Sequence, residues 1–362
     1  MVHSIVFATL FFCTSLATAQ CGSGTPDAKV TGSTGAYVAS IGTKSAYSGA
    51  SYLSAIQAAI DGTSSGARIA VIASGSIGSN SIIIDAGKTF EGCGTIDASF
   101  KNFKGAIEII DVDDVHIPYL TLTGNPYYGI RISGTNGLQL GQITMVMSAT
   151  PSGGGIGVRF EMAGAANKNV KIDTVSVTGA SEHAVETWNI DKLTINSVIA
   201  KNCGECGLLL QKTTNAHVGS VTGTNVGAGT GYATLRFANQ NGRLPDGSYT
   251  TNVFVDKVYS RGGGRGVFCV SESGGAEIGK IDLANNNGPE SILIENCYGL
   301  NIKSGTVVGG GDVRISARDE FANTKDITLS LEVDGTDVVE SPCAINSHLT
   351  ITGTAKVDIC SK

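Results

Sequence analysis

The chain has 362 residues, of which 41% are hydrophobic and only 15% charged, with a formal net charge of −6. Its 49 glycines are about twice the usual share, yet they follow no Gly-X-Y period and sit among many apolar residues, which excludes a collagen and a disordered tail. Gly, Ser, Thr, Val, Ile and Asn dominate while Leu, Glu, Lys and Arg are scarce, which argues against a coiled coil and predicts a β-rich chain; the acidic balance disfavours a nucleic-acid partner.

Residues 1–19 read as a secretory signal: a short polar start with His3, an apolar run over 5–12, and Ala17-Thr18-Ala19 ahead of Gln20. The run is too short to span a membrane, and no later segment is apolar enough. The expectation is a secreted, extracellular, monomeric protein with no membrane partner. Removing the signal takes Cys13 and leaves Cys21, Cys93, Cys203, Cys206, Cys269, Cys297, Cys343 and Cys360. An even set in an exported chain implies disulfides. That expectation extends to Cys203-Gly-Glu-Cys206, because no second CxxC or nearby His pair supports metal. Cys343 and Cys360 are expected to close the last turn of the fold.

Residues 51–60 have the pattern of an amphipathic helix ending at Gly62. Beyond it an apolar pattern, with positions one, three and six filled, recurs about every 23 residues. Its copies are Val115/Ile117/Leu120, Leu138/Leu140/Ile143, Val170/Ile172/Val175, Leu193/Ile195/Val198, Ala216/Val218/Val221, Val253/Val255/Val258 and Ala276/Ile278/Ile281, with Leu300/Ile302 weaker. Asn or Asp often precedes a copy, as at Asp114, Asn169 and Asn215. Second short strands lie between copies, as in Gly129-Ile-Arg-Ile-Ser, Gly157-Val-Arg-Phe-Glu and Gly207-Leu-Leu-Leu-Gln. One such repeat cannot bury its inward side chains alone, so the repeats must stack. The predicted fold is all-β: a right-handed parallel β-helix of about ten coils, its open end plugged by the helix. The expected divisions are 1–19 (signal), 20–66 (capping segment), 67–340 (β-helix) and 341–362 (disulfide-closed cap).

With its capping helix, glycine-rich coils and C-terminal cysteine pair, the chain resembles the pectin-lyase-like β-helix superfamily of fungal polygalacturonases and pectate lyases over roughly residues 67–362. The resemblance implies a secreted fungal-type protein acting at the plant cell wall. The family's catalytic motifs do not carry over. The Asn-Thr-Asp, Asp-Asp, Gly-His-Gly and Arg-Ile-Lys series is absent, since Asp113-Asp114 falls in the wrong type of strand and Arg131-Ile132-Ser133 ends in serine. Arg261-Gly-Gly-Gly-Arg265 lacks the proline and spacing of the pectate-lyase Arg-x-Pro-x-x-Arg signature. Those two arginines, flanking a triple-glycine turn, are expected in solvent.

Aligning the second strands sends one outward column through Arg131, Arg159, Glu186, Leu209, Arg236, Phe268, Leu293 and Arg314, with a second through Ser133, Glu161, Trp188, Gln211, Ala238, Val270, Glu295 and Ser316. Insertions at 148–155, 163–168 and 239–250 fall on these coils and predict a groove there. Glu161, Glu186 and Arg236 are the candidate catalytic residues; Arg131, Arg159, Trp188, Gln211, Asn239 and Arg243 are the candidate substrate-binding residues. Neither metal nor any other cofactor is called for.

Three readings of the groove stand side by side. Glu161 and Glu186, one rung (about 4.8 Å) and two residues apart along the strand, lie on a diagonal of roughly 8 Å. That suits an inverting glycoside hydrolase, whose carboxylates stand about 6.5–9.5 Å apart, with Trp188 stacking on a sugar. Alternatively the arginines hold uronate carboxylates for elimination, with His183, Lys212 or an arginine as base. In the third reading Arg159 and Glu186 are a structural ion pair. The protein then either binds and cleaves an acidic, pectin-like polysaccharide, or is a non-catalytic effector of virulence that binds a plant cell-wall protein such as a polygalacturonase inhibitor.

Overall fold

A computed structural model describes residues 20–360; the predicted signal lies outside them. The chain is a right-handed parallel β-helix of about 13 turns with one short helix. The apolar repeat stacks in the register expected of it: Ile117, Leu140, Ile172, Ile195, Val218, Val255, Ile278 and Ile302 are cross-strand partners in succession, and Leu120, Ile143, Val175, Val198, Val221, Val258 and Ile281 form a parallel column. These side chains are buried. Asp114, Asn169 and Asn215 hold φ of 57°, 52° and 52°, the left-handed corners that Asn and Asp tolerate best among side-chain-bearing residues. The turns beyond the expected ten lie at the two ends, where strands such as Arg68–Val71, Thr89–Ala98 and Ile345–Gly353 pair with their neighbours without carrying a full copy of the repeat.

The helix, Tyr52–Asp61, starts at Ser51, whose hydroxyl accepts the Ser54 N–H at 3.1 Å, and it ends on Gly62. It buries Tyr52, Ala55, Ile56, Ala59 and Ile60. Its support includes three strands absent from the sequence reading: Ala28–Ser33, Ala36–Ile41 and Lys44–Gly49 form an antiparallel meander, and the first pairs in parallel with Arg68–Val71. The Lys88 ammonium, 2% exposed, donates to Ile60 O, Thr63 Oγ1 and Ser64 O at 3.2, 3.0 and 2.9 Å. It thereby satisfies carbonyls that a helix C-terminus leaves unpaired.

Disulfides join Cys21 to Cys93, Cys269 to Cys297 and Cys343 to Cys360, the last closing the C-terminal end as expected. Cys203 and Cys206 correct the expectation, since both are free and buried. Cys203 packs into the inner core, whereas Cys206 belongs to an apolar cluster on the outer face with Leu209, Phe268 and Leu293. The wall of the solenoid separates the two side chains. Burial pushes the Cys203 thiol up to about 11, which removes its nucleophilic form at neutral pH.

Candidate functional site

The strands Gly105–Ile110, Tyr128–Ser133, Ile156–Phe160, Val185–Trp188, Leu208–Gln211, Ala233–Ala238 and Arg265–Cys269 form one parallel face. Their alternation is strict. Ile130, Val158, Val185, Leu208, Leu235 and Val267 point into the core, so the next residue of each points out. Arg131, Arg159, Glu186, Leu209, Arg236, Phe268, Leu293 and Arg314 are successive cross-strand partners, as the sequence predicts.

Arg131, Arg159 and Glu186 of this column join Glu108 and Glu161 in a ladder in which every carboxylate is engaged. Arg131 donates to Glu161 Oε1 at 2.7 Å and to Glu108 Oε1 at 3.3 Å. Arg159 reaches Glu161 Oε2 at 3.7 Å through Nη2 and pairs with Glu186 Oε2 through Nη1. The other oxygen of Glu186 accepts from Trp188 Nε1 at 2.9 Å and Gln211 Nε2 at 2.7 Å, and Gln211 Oε1 accepts from Asn239 Nδ2 at 2.5 Å. Glu186 is only 5% exposed, so it anchors the tryptophan ring, the glutamine and the start of the 239–250 insertion together. Glu108 was not among the sequence candidates. Carrying the outward column back by one rung, opposite Arg131, locates it.

Next to this anchor lie two adjoining cavities. One, about 330 Å³, is lined by Trp188, Met162, Lys212, Asn239, Gln240, Glu272 and Phe321 among others. The second, about 310 Å³, shares Lys212 and Gln240 and adds Arg243, Leu244, Pro245 and Gly247. The loop is held at both ends: Gln240 N donates to Ser271 O at 3.0 Å, Gly242 N donates to Thr213 O at 2.9 Å, and Asn252 Nδ2 donates to Gly242 O and Thr250 O at 2.8 Å. Among the described residues no carboxylate lies within ion-pair reach of Lys212 or Arg243, in contrast to the arginines of the ladder. Trp188, Asn239 and Arg243 are thus on the groove, while Gln211 supports it from beneath.

Arg236 is not part of the carboxylate ladder. Leu209 stands between it and Glu186 in the column. Its guanidinium lies 4.8 Å from the ring centres of both Tyr232 and Phe268. Arg261 and Arg265 are also not free in solvent, because side chains on the neighbouring rung can reach them. Arg265 is 8% exposed, pairs with Glu290 and lies 4.6 Å from the Phe268 ring centre; Arg261 pairs with Asp282 at 2.8 Å and covers Tyr259.

His183, 6% exposed, accepts the Cys206 N–H at Nδ1 (3.0 Å) and faces Glu205 Oε2 with Nε2 (3.0 Å). Burial opposes a charge on the ring, but Cys206 and Glu205 outweigh it and raise the pKa; the hydrogen-bond geometry stands against that direction. The N–H aimed at Nδ1 leaves no place for a second proton and decides for the neutral ring with its hydrogen on Nε2. Both nitrogens are therefore engaged within the fold.

Beside it, burial first and Glu205 second raise the Glu182 pKa, against the Gly154 N–H that donates to it at 2.7 Å. A carboxyl whose folded pKa is raised favours folding when protonated. That contribution is complete below its unfolded pKa and is lost as pH rises through the folded one. Glu182→Gln keeps the acceptor without the charge, so its stability relative to wild type is expected to increase as pH rises above the usual carboxyl range. Urea midpoints measured from pH 4 to 8 for the two proteins check this.

No family model matches the sequence, and no curated protein matches it in sequence. A solved structure matches in fold: the A-module of the mannuronan C-5 epimerase AlgE6 of Azotobacter vinelandii, with a TM-score of 0.51 and 12% identity, over 84% of this chain and 96% of that module. At that identity the likeness speaks for the parallel β-helix alone. The three disulfides suit an oxidising compartment. No helix among the described residues is long and apolar enough to cross a membrane.

Proposed function

We propose that the groove beside Trp188 binds an acidic polysaccharide, a uronate polymer of the pectin type, outside the cell. The observation that carries this is the asymmetry of the groove: the carboxylates beneath it, and Glu272 on its wall, accept from donors, whereas Lys212 and Arg243, on adjoining cavities, have no carboxylate partner among the described residues. A chain of sugars carrying carboxylates offers partners for both cations and an apolar ring face for Trp188. The solved β-helix of similar fold is named for action on mannuronan, itself a uronate polymer, which is in keeping with this reading.

Binding is better supported than hydrolysis. An inverting pair needs a water and a sugar between its carboxylates, but the Arg159 guanidinium spans Glu161 and Glu186. Elimination by His183 is likewise not favoured, because neither ring nitrogen is free to accept a proton.

Trp188 is the only tryptophan of the chain, so its emission reports on this site alone. Titration of the secreted protein with de-esterified polygalacturonate, highly esterified pectin and a neutral glucan is expected to give a saturable change with the first, weakened by salt. Equal responses to the neutral glucan, or none to the acidic polymers, would overturn the reading. Unsaturated ends or new reducing ends released in the same samples would show elimination or hydrolysis respectively.

A further inference from the structure

The face that carries Trp188 has a second aromatic feature at its opposite edge. Phe103, just ahead of the strand Gly105–Ile110, is 61% exposed and holds a φ of 58°. A bulky side chain in the left-handed region costs free energy, and an exposed ring recovers little of it by burial. Folding alone therefore gives no reason for phenylalanine at this position. The ring packs on Tyr127 at 5.1 Å between centres, and Tyr127 in turn meets Phe100 at 5.6 Å and Tyr128 edge-on at 4.6 Å. Gly154 makes room behind it: with φ of 71°, a Cβ there would stand 2.7 Å from the Tyr127 ring. The 148–155 insertion thus braces the aromatic cluster. Lys101 is exposed beside it with no ion pair among the described residues, and Lys104 reaches Glu108 at 3.7 Å.

We propose that Phe103 and Tyr127, with Lys101 at their rim, form a second stacking subsite for the same acidic polysaccharide; this rests on the binding reading above. The occupant follows from the chemistry of the patch. A braced aromatic surface suits the apolar face of a sugar ring, and an unpaired ammonium suits its carboxylate. Register sets the span. Tyr127 precedes Trp188 by two rungs, and its position along the strand lies six residues before that of Ser133, which aligns with Trp188. Rungs about 4.8 Å apart and residues about 3.3 Å apart give a diagonal of roughly 22 Å. That diagonal passes over Arg159, and it is several sugar residues long.

Only a chain long enough to bridge both ends gains from the second subsite, because its second contact is then intramolecular. Phe103→Asn removes the ring and places a residue that tolerates the left-handed backbone, so the variant is expected to fold at least as stably as wild type. With a polygalacturonate of about ten residues, its affinity should fall about fivefold, while a digalacturonate read by Trp188 emission should bind unchanged. Unchanged affinity for the long chain, or equal weakening for both lengths, overturns the subsite and leaves the Trp188 reading standing. Failure of wild type to bind either length removes both.

Discussion

Glu186→Ala is expected to destabilise the fold by about 3–5 kcal/mol, because it leaves a largely buried guanidinium without its main partner. The Arg159 side chain is 16% exposed and its Nε already lacks a partner; without Glu186 the one carboxylate left within reach is Glu161, at 3.7 Å, beside the Tyr128 ring at 5.9 Å. The loss spreads to Trp188 Nε1 and Gln211 Nε2, which both donate to the same oxygen. Asn239 would lose its footing through Gln211 in turn. Two readings check this together: the urea midpoint should fall, and the emission of Trp188 should change even in the folded protein. Glu186→Gln, which keeps an acceptor for Trp188, should preserve the emission better than it preserves the midpoint. A midpoint for Glu186→Ala within about 0.5 kcal/mol of wild type, the usual range for surface substitutions, would show that the ladder is ornamental to stability.

Replacing Lys212 and Arg243 together by methionine should weaken polygalacturonate binding about tenfold at low salt, since each exposed ion pair contributes up to about 1 kcal/mol. Both residues line the groove from the exposed side and neither holds the fold together through an ion pair, so the urea midpoint should stay within about 0.5 kcal/mol of wild type. The deficit should shrink as salt is raised, because screening removes the same attraction from wild type. An undiminished affinity at low salt would place the polymer elsewhere on the molecule.

The two variants differ in what they test. Glu186 holds the Trp188 platform in place from below, whereas Lys212 and Arg243 face the proposed ligand. That division also explains how far the sequence could be read. The outward column from Arg131 to Arg314 follows from period-two alternation and a repeat of nearly constant length, and the register of the structure agrees residue by residue. Which long side chain meets which is not periodic. Arg131 reaches diagonally to Glu161 rather than staying with its direct partner Arg159, whereas Arg265 pairs with Glu290, which the register places opposite it on the next rung. Arginine has enough reach to choose among several rungs, and local spacing does not rank those choices.

The sequence by itself determined the stacked coils, the helix at the N-terminal end, the direction of each side chain on the Trp188 face and the closing role of Cys343 and Cys360, because each depends on periodicity or on neighbours close in the chain. Only the tertiary structure decided that Cys203 and Cys206 stay apart, that an antiparallel meander lies under the helix, that Arg236 leaves the ladder for two aromatic rings, and that Lys212 joins Arg243 on one groove. Those outcomes depend on which side of a thin wall a side chain occupies and on what the neighbouring coil places opposite it. Both are settled by contacts between residues twenty or more positions apart.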